Sequence, residues 1–189
     1  ICFVAVVFNI LDIAVFSINN FNALTLLVFF LAFAVKNFSN TLFIYGYYMT
    51  SMSKSTSVLY SMFCSSFLMA TLNVLNFDFI ILPFINWFMF AFLKAGFVVK
   101  RGNIWAAAGL GTAWEFVSFS IFGFDLANTT GITSVITTTF DKGFDSVTGG
   151  IVGFNGGLIT TLVAFLALGA LFVMPQNTKE IYVEKNDEK

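Results

Sequence analysis

Four ionisable side chains interrupt long apolar runs of this sequence. Asp12, Lys36, Lys94 and Glu115 each lie inside a stretch of mostly apolar residues. At the centre of a lone membrane-inserted helix, such a group costs about 2.5–3.5 kcal/mol. We therefore expect these side chains to face a bundle interior, a water-filled path or a partner. Two acids and two bases can also pair, and the spacing leaves open whether Lys36 pairs with Asp12 or with Glu115.

Glu115 has the most informative surroundings of the four. It follows "AAAGLGTA" at residues 106–113, a run of small residues that would let another helix backbone approach closely. Trp114 and Phe116 flank the carboxylate. This pattern favours either a constriction where a carboxylate handles a solute or a proton, or a structural hydrogen bond between helices. The predicted residues of a solute or proton path are Asp12, Lys36, Glu115 and Asn155.

Two further patterns have mainly structural interpretations. Lys94 lies close to the basic end of its apolar run, so its stem could extend and bring the ammonium to the membrane interface. Gly149, Gly153 and Gly157 are spaced four residues apart, which on a helix makes a ridge for close packing against a neighbouring helix. We expect these glycines to serve helix packing within the bundle or between subunits.

The composition is that of a membrane protein. Hydrophobic residues make up 58% and charged residues 10% of the 189 residues, and the mean hydropathy is +0.89. A soluble domain has about 25% charged residues. The chain has no histidine and only two cysteines, in separate segments, which argues against haem, zinc and iron–sulfur sites. We expect no cofactor, no metal, no nucleic-acid partner and no enzymatic activity.

Long apolar runs separated by short polar breaks predict an all-α bundle of six transmembrane helices. A helix needs about 20 mostly apolar residues to cross a bilayer. The predicted spans are Ile1 to Ile18, Ala23 to Met49, Ser57 to Asn76, Phe79 to Val99, Ile104 to Phe124 and Gly150 to Met174. "FD" at Phe77 and Asp78 would be a tight hairpin connection. The transmembrane domain thus covers residues 1–174, and residues 175–189 form a polar tail.

The distribution of lysine and arginine predicts the orientation of this bundle. Alternating spans place both chain ends on the same side. That side also carries six basic residues: Lys54, Lys100, Arg101, Lys179, Lys185 and Lys189. The other side receives Lys142 and several aspartates. Because basic residues accumulate on the cytoplasmic side, we expect both termini to face the cytoplasm or the mitochondrial matrix. The sequence enters an apolar run at Ile1, so we expect either a removed leader or residues before it.

Two segments resemble the acetate/succinate permease family of small monocarboxylate transporters. "KRGNIWAAAGLGTAWEF" is similar to the opening of the third helix of that family, although here it opens the fifth predicted span. "GGIVGFNGGLITTLVAFLALGA" is similar to its last helix, and the Asn-Pro-x-Pro signature of its first helix is missing. The resemblance implies a six-helix transporter architecture and a monocarboxylate as solute, and it transfers no site residue.

Two functions remain open from the sequence. The first is a channel or secondary transporter for a small solute, such as a monocarboxylate, in the plasma membrane or the mitochondrial inner membrane. The second is a non-catalytic structural subunit of a larger respiratory or ATP-synthase type complex, in which the charges inside the spans pair with partner chains. In both cases the chain contacts lipid and belongs to a homo-oligomer or a membrane complex.

Overall fold

The computed structural model describes residues 1–74, 80–124, 134–140, 142–150 and 153–175. Within these ranges the protein is mostly helical, with one two-stranded antiparallel sheet. The predicted connection at Phe77 and Asp78 and the predicted polar tail from residue 176 onward lie outside them.

The longest helical stretch runs from Ala23 to Ser53 in three parts. Helix α2 (Ala23–Thr41) continues into a π-helical segment (Leu42–Met49) and then into the short helix α3 (Thr50–Ser53). The Asn22 side chain accepts a hydrogen bond from the Leu24 backbone N–H at 2.9 Å and so caps the first turn. This stretch agrees with the second predicted span and extends it by one turn.

Three more helices follow the predicted spans closely. They are α4 (Val58–Val74), α5 (Ile81–Arg101) and α6 (Trp105–Glu115), the last of which continues into a second π-helical segment (Phe116–Ile121). Gly102 ends α5 in the left-handed conformation, with φ of 65°, which glycine adopts without steric penalty.

The final long helix, here labelled α8, spans Leu158–Val173. It begins at Leu158 rather than at the predicted Gly150. A four-residue helix, α7 (Asp145–Thr148), and a single 3₁₀ turn (Phe154–Gly156) precede it.

Helix α5 lies at the centre of the bundle and packs against α4, α6 and α8, while α2 packs against α6. The Lys100 ammonium at the end of α5 donates to the backbone carbonyls of Leu171 at 2.6 Å and Met174 at 2.8 Å, at the end of α8. The C-terminal ends of α5 and α8 therefore lie at the same end of the bundle. Cations are favourable there because the last carbonyls of a helix carry partial negative charge.

The prediction of one helical span from Ile1 to Ile18 is wrong. Helix α1 (Cys2–Ile10) ends after nine residues, and the chain turns at Asp12, whose φ is 53°. It then forms strand β1 (Ala14–Ile18), which pairs antiparallel with strand β2 (Ile136–Phe140). Aspartate is one of the few residues that adopt a positive φ at modest cost. Strand β2 lies between the fifth and sixth predicted spans, where the sequence predicts no span.

An aromatic core joins α1 and the sheet to the helices. The rings of Phe8, Phe124 and Phe154 are fully buried, and Phe8 meets Phe124 and Phe154 edge to face at 6.2 Å. Ile1 packs against this core. The first residues of the chain therefore pack on the same aromatic core as the turn that precedes α8.

Two helical stretches among the described residues are long and apolar enough to cross a bilayer, judged by length and composition: Ala23–Ser53 and Ile81–Arg101. Val58–Val74 and Leu158–Val173 are apolar but shorter.

Candidate functional site

The Glu115 carboxylate is the centre of a polar cluster between α2 and α6. Its Oε1 accepts from the Lys36 ammonium at 2.8 Å, which makes an ion pair, and its Oε2 accepts from the Asn37 amide at 2.8 Å. The Glu115 side chain is 20% exposed and that of Lys36 is 53% exposed. Of the two acids that could pair with Lys36, the structure therefore selects Glu115.

Lys94 joins this cluster from α5. It is 6% exposed, and its ammonium donates to the Asn37 side-chain oxygen at 3.4 Å. The same ammonium lies 5.8 Å from the centre of the Tyr45 ring, within the range of a cation–π contact. The prediction that Lys94 extends to the interface is wrong, since its side chain points into the bundle. Asn37 links the two charges by donating to Glu115 and accepting from Lys94.

Gly111 makes the close approach of these groups possible. A Cβ at this position would overlap the Asn37 side-chain oxygen and would lie 3.1 Å from the Lys94 ammonium. The run of small residues before Glu115 thus brings a polar group of α2, rather than only its backbone, against α6.

The cluster forms one wall of a cavity of about 290 Å³. Side chains from α2, α4, α5, α6 and the loop before α8 line it. Its polar lining residues are Lys36, Asn37, Asn73, Lys94, Glu115 and Asn155, and aromatic rings at Trp87, Phe90, Trp114 and Phe119 complete it. Ligand pockets in proteins combine mostly apolar walls with a few placed polar groups in this way.

Asn155 lies on the cavity wall and is held in place by two neighbours. Its side-chain oxygen accepts from the Trp114 indole N–H at 3.0 Å. Its backbone carbonyl accepts from the Asn86 amide at 2.9 Å, and the same amide donates to the Gly157 carbonyl at 3.1 Å. The fully buried Asn86 of α5 therefore fixes the position of the loop that carries Asn155.

The three glycines at four-residue spacing do not form a helical ridge, so that prediction is wrong. Gly149 and Gly153 have φ of 96° and 77°, and Gly157 is the residue before α8. A Cβ on Gly149 would overlap the Gly153 backbone. These glycines make the tight turns of the loop that presents Asn155, which is a close approach within one segment and not between helices.

Of the four predicted path residues, the structure brings three to the cavity. Lys36, Glu115 and Asn155 line it, whereas Asp12 is exposed in the turn between α1 and β1. Asp12 does not join the other predicted path residues at the cavity, because the helix that would have carried it inward ends at Ile10. Asn37 was not among the predicted site residues, although a polar residue directly after Lys36 near the middle of an apolar run was the available signal.

The chemistry of these groups is hydrogen bonding and charge. Within the described residues, no group of three or more His, Cys, Asp or Glu side chains could hold a metal ion. Searches of family models, curated proteins and solved structures find no match to this chain.

Proposed function

We propose that this chain is a membrane channel or secondary transporter for a small solute, and that the cavity at Glu115 is its binding site. The observation that carries the proposal is the convergence of Lys36, Asn37, Lys94 and Glu115 on one cavity inside an apolar bundle. Ionisable groups at membrane depth are costly and mark solute or ion pathways in other membrane proteins. The cavity lies at the lower end of the usual volume range for ligand sites, which favours a small solute.

The charges in the cavity favour a solute with one negative charge. Two ammonium groups face one carboxylate, so the formal sum is +1 when all three are ionised. The two Glu115 oxygens already accept hydrogen bonds from Lys36 and Asn37. Among the described residues, the hydrogen-bond acceptor of the Lys94 ammonium is the Asn37 side-chain oxygen, at 3.4 Å. A monoanion at Lys94 would neutralise the excess charge. The resemblance to monocarboxylate transporters points to the same solute class.

The lengths and directions of the helices support a particular membrane arrangement. We propose that α2 with its extension, α4, α5, α6 with its π-helical segment, and α8 cross the bilayer. Helix α1 and the β1–β2 sheet then lie at one end of the bundle without crossing. The end that carries Lys54, Lys100 and Arg101 faces the cytoplasm or matrix, in accord with the enrichment of basic residues on that side.

Uptake into proteoliposomes tests the function. The purified chain is reconstituted and the entry of labelled acetate is compared with that of a neutral solute of similar size, glycerol. We expect saturable acetate uptake that falls at least about tenfold in Lys94→Met and in Glu115→Gln, a loss of about 1.4 kcal/mol or more. Asp12→Asn is the matched control, since it removes a carboxylate outside the cavity and should leave uptake unchanged.

Two outcomes would contradict the proposal. The first is acetate and glycerol uptake that equals that of empty liposomes. The second is uptake that Lys94→Met and Glu115→Gln leave at the level of Asp12→Asn, because the cavity would then have no part in it. Each variant is first shown to be folded by its elution as a single species in detergent.

A second candidate function rests on Lys36. This residue lies near the middle of a long apolar helix, yet its side chain is 53% exposed. A half-exposed ammonium at that depth is costly when it faces lipid. Contact with a second polypeptide would lower this cost. This supports the alternative of a structural subunit in a membrane complex. Measurement of the native mass after gentle extraction distinguishes the two functions. A chain that is found only in complex with other proteins favours the structural subunit.

A further inference from the structure

Four aromatic side chains form the main apolar part of the cavity wall at Glu115. They are Trp87, Phe90, Trp114 and Phe119, and together with the polar groups described above they line a space of about 290 Å³. Protein interiors are close-packed and contain few spaces larger than a water molecule. A space of this size beside aromatic rings therefore indicates what kind of solute fits there.

The Trp114 ring is a rigid part of this wall. Its centre lies 4.4 Å from that of the Phe90 ring and 5.9 Å from that of the Phe154 ring. Its indole N–H donates to the Asn155 side-chain oxygen at 3.0 Å. A side chain that is held by two ring contacts and a hydrogen bond loses little freedom when a ligand packs on it, which favours binding.

Rings and charge follow one another along one face of α5. Trp87, Phe90 and Lys94 are three and four residues apart, so they lie on the same face of this helix. With a rise of about 1.5 Å per residue, Lys94 lies about 10 Å beyond Trp87 along the helix axis. The Lys94 ammonium meets Asn37 at its end of this row. The cavity thus has a charged end and, next to it, an aromatic stretch.

The Lys94 ammonium is suited to hold a carboxylate at the charged end. It is 6% exposed, and among the described residues its acceptor is a neutral amide oxygen at 3.4 Å. A hydrogen bond from an ammonium to a carboxylate is shorter, at about 2.7–2.9 Å, and stronger than one to a neutral group. Because both Glu115 oxygens accept from Lys36 and Asn37, Lys94 is available to the carboxylate of a solute.

The cavity is larger than acetate requires. A cavity of about 150 Å³ in another protein binds benzene, and the volume here is about twice as large. The apolar part of acetate is a single methyl group, which would contact little of the aromatic wall. A six-membered ring attached to a carboxylate would contact both the charged end and the rings.

Aromatic residues on the other side of α5 pack without leaving such a space. The Phe63 ring of α4 lies 5.2 Å from the Phe88 ring of α5, and the Phe67 ring lies 5.6 Å from the Phe84 ring. These four rings contact each other directly across the two helices, and none of them lines the cavity. A high phenylalanine content alone therefore does not account for the cavity.

We propose that the solute of this cavity is a monocarboxylate whose apolar body has the size of a six-membered ring, as in benzoate. The inference rests on the proposed function and narrows it, because it names the class of the anion. The carboxylate binds the Lys94 ammonium, and the ring packs on Phe90 and Trp114. Acetate binds at the same ammonium with fewer contacts.

Direct binding tests this class of solute without a transport measurement. The purified chain in detergent is titrated in a calorimeter with acetate, benzoate or benzamide, and the heat of titrating micelles alone is subtracted. We expect benzoate to bind at least about tenfold more tightly than acetate, because the ring buries apolar area. We also expect benzoate to bind at least about tenfold more tightly than benzamide, which keeps the ring and lacks the charge.

Three variants locate the bound benzoate. Lys94→Met should lower the affinity for benzoate to that for benzamide. Phe90→Leu should weaken benzoate binding at least about threefold through the lost ring contact, and it should leave acetate binding unchanged. Phe88→Leu is the matched control, since Phe88 lies two residues away on α5 and outside the cavity lining. It should leave both affinities unchanged.

Several outcomes would overturn the inference. They are benzoate binding no tighter than that of acetate, benzoate binding that Lys94→Met leaves unchanged, and equal losses in Phe90→Leu and Phe88→Leu. Each can coexist with acetate uptake that depends on Lys94, in which case the proposed function stands and the solute is a different anion. Benzoate binding that depends on Lys94 and Phe90, in a chain that takes up no acetate, would support the ligand class and contradict transport.

Discussion

The polar cavity and the aromatic core are neighbours that share one residue and differ in what holds them together. Trp114 packs on Phe154 of the aromatic core at 5.9 Å between ring centres, while its indole N–H donates to Asn155 on the cavity wall. The core beyond Phe154 consists of buried rings in edge-to-face and tilted contacts. The cavity instead depends on a few hydrogen bonds around Glu115.

This difference separates stability from function within one bundle. Buried aromatic rings stabilise through the area that they bury and through the geometry of their contacts. A cluster of two ammonium groups and a carboxylate costs free energy in an apolar setting, and such clusters usually mark functional sites. We therefore expect substitutions in the aromatic core to change stability, and substitutions in the cavity to change uptake.

The largest expected effect on stability is at Phe8. Phe8→Ala removes a fully buried ring that contacts Phe124, Phe140 and Phe154. A large-to-small change of this kind costs about 3–5 kcal/mol of unfolding free energy. Denaturant titration in detergent micelles measures the loss, and acetate uptake per folded molecule should stay within about twofold of the unmodified chain.

Phe165→Ala is the matched control for that substitution. Phe165 lies on α8 and is exposed on the bundle surface, so its removal leaves no cavity. We expect a change below about 1 kcal/mol, as for most surface positions. Equal losses at Phe8 and Phe165 would contradict the assignment of stability to the aromatic core.

The next effect is at Gly111, where the two helices of the cluster meet. In Gly111→Ala the new methyl group overlaps the Asn37 side-chain oxygen and presses on the Lys94 ammonium. Such overpacking costs about 1–3 kcal/mol, and it displaces the amide that links Lys94 to Glu115. We expect acetate uptake to fall at least about tenfold, more than the modest loss of stability accounts for.

Gly109→Ala provides an exact contrast two residues away on the same helix. A Cβ there meets no atom within 4 Å. Because alanine favours helix over glycine by up to about 1 kcal/mol, this variant should be slightly more stable, with unchanged uptake. A similar loss of uptake in both variants would mean that the small residues of α6 serve packing in general and not the cluster.

The sequence predicts the long helices and half of the site for identifiable reasons. The apolar runs from Ala23 and around α5 are long, and polar breaks such as the one at Gly102 end them, so hydropathy alone locates these helices. Lys36 and Glu115 stand out because charge in such runs is costly. Their pairing required the structure, since the two residues are 79 positions apart and Asp12 was an equally good acid by composition.

The N-terminal segment could not be predicted because its partner lies far away in sequence. Residues 1–18 are mostly apolar, and strand β1 shows no clear alternation that would distinguish it from a helix. Its pairing with Phe140 is a contact between distant parts of the chain, which local patterns do not reveal. Asn37 was not predicted for another reason. A neutral amide in an apolar run is a weaker sequence signal than the charge of the neighbouring lysine, although here the amide links Glu115 and Lys94.

The smallest expected effect on stability is at Lys36, and it refines the comparison within the cavity itself. Lys36→Met breaks the ion pair with Glu115, but the Lys36 side chain is half exposed, and exposed ion pairs contribute about 0.2–1 kcal/mol. Lys94 is buried and still offers a positive charge in this variant, so acetate uptake should persist at a reduced rate, whereas Lys94→Met loses it. Thermal unfolding and uptake measured on Lys36→Met, Lys36→Arg and Lys94→Met check this order. A variant lacking Lys36 that transports as poorly as Lys94→Met, with Lys36→Arg restoring uptake, would instead make the outer ammonium the anion-binding group.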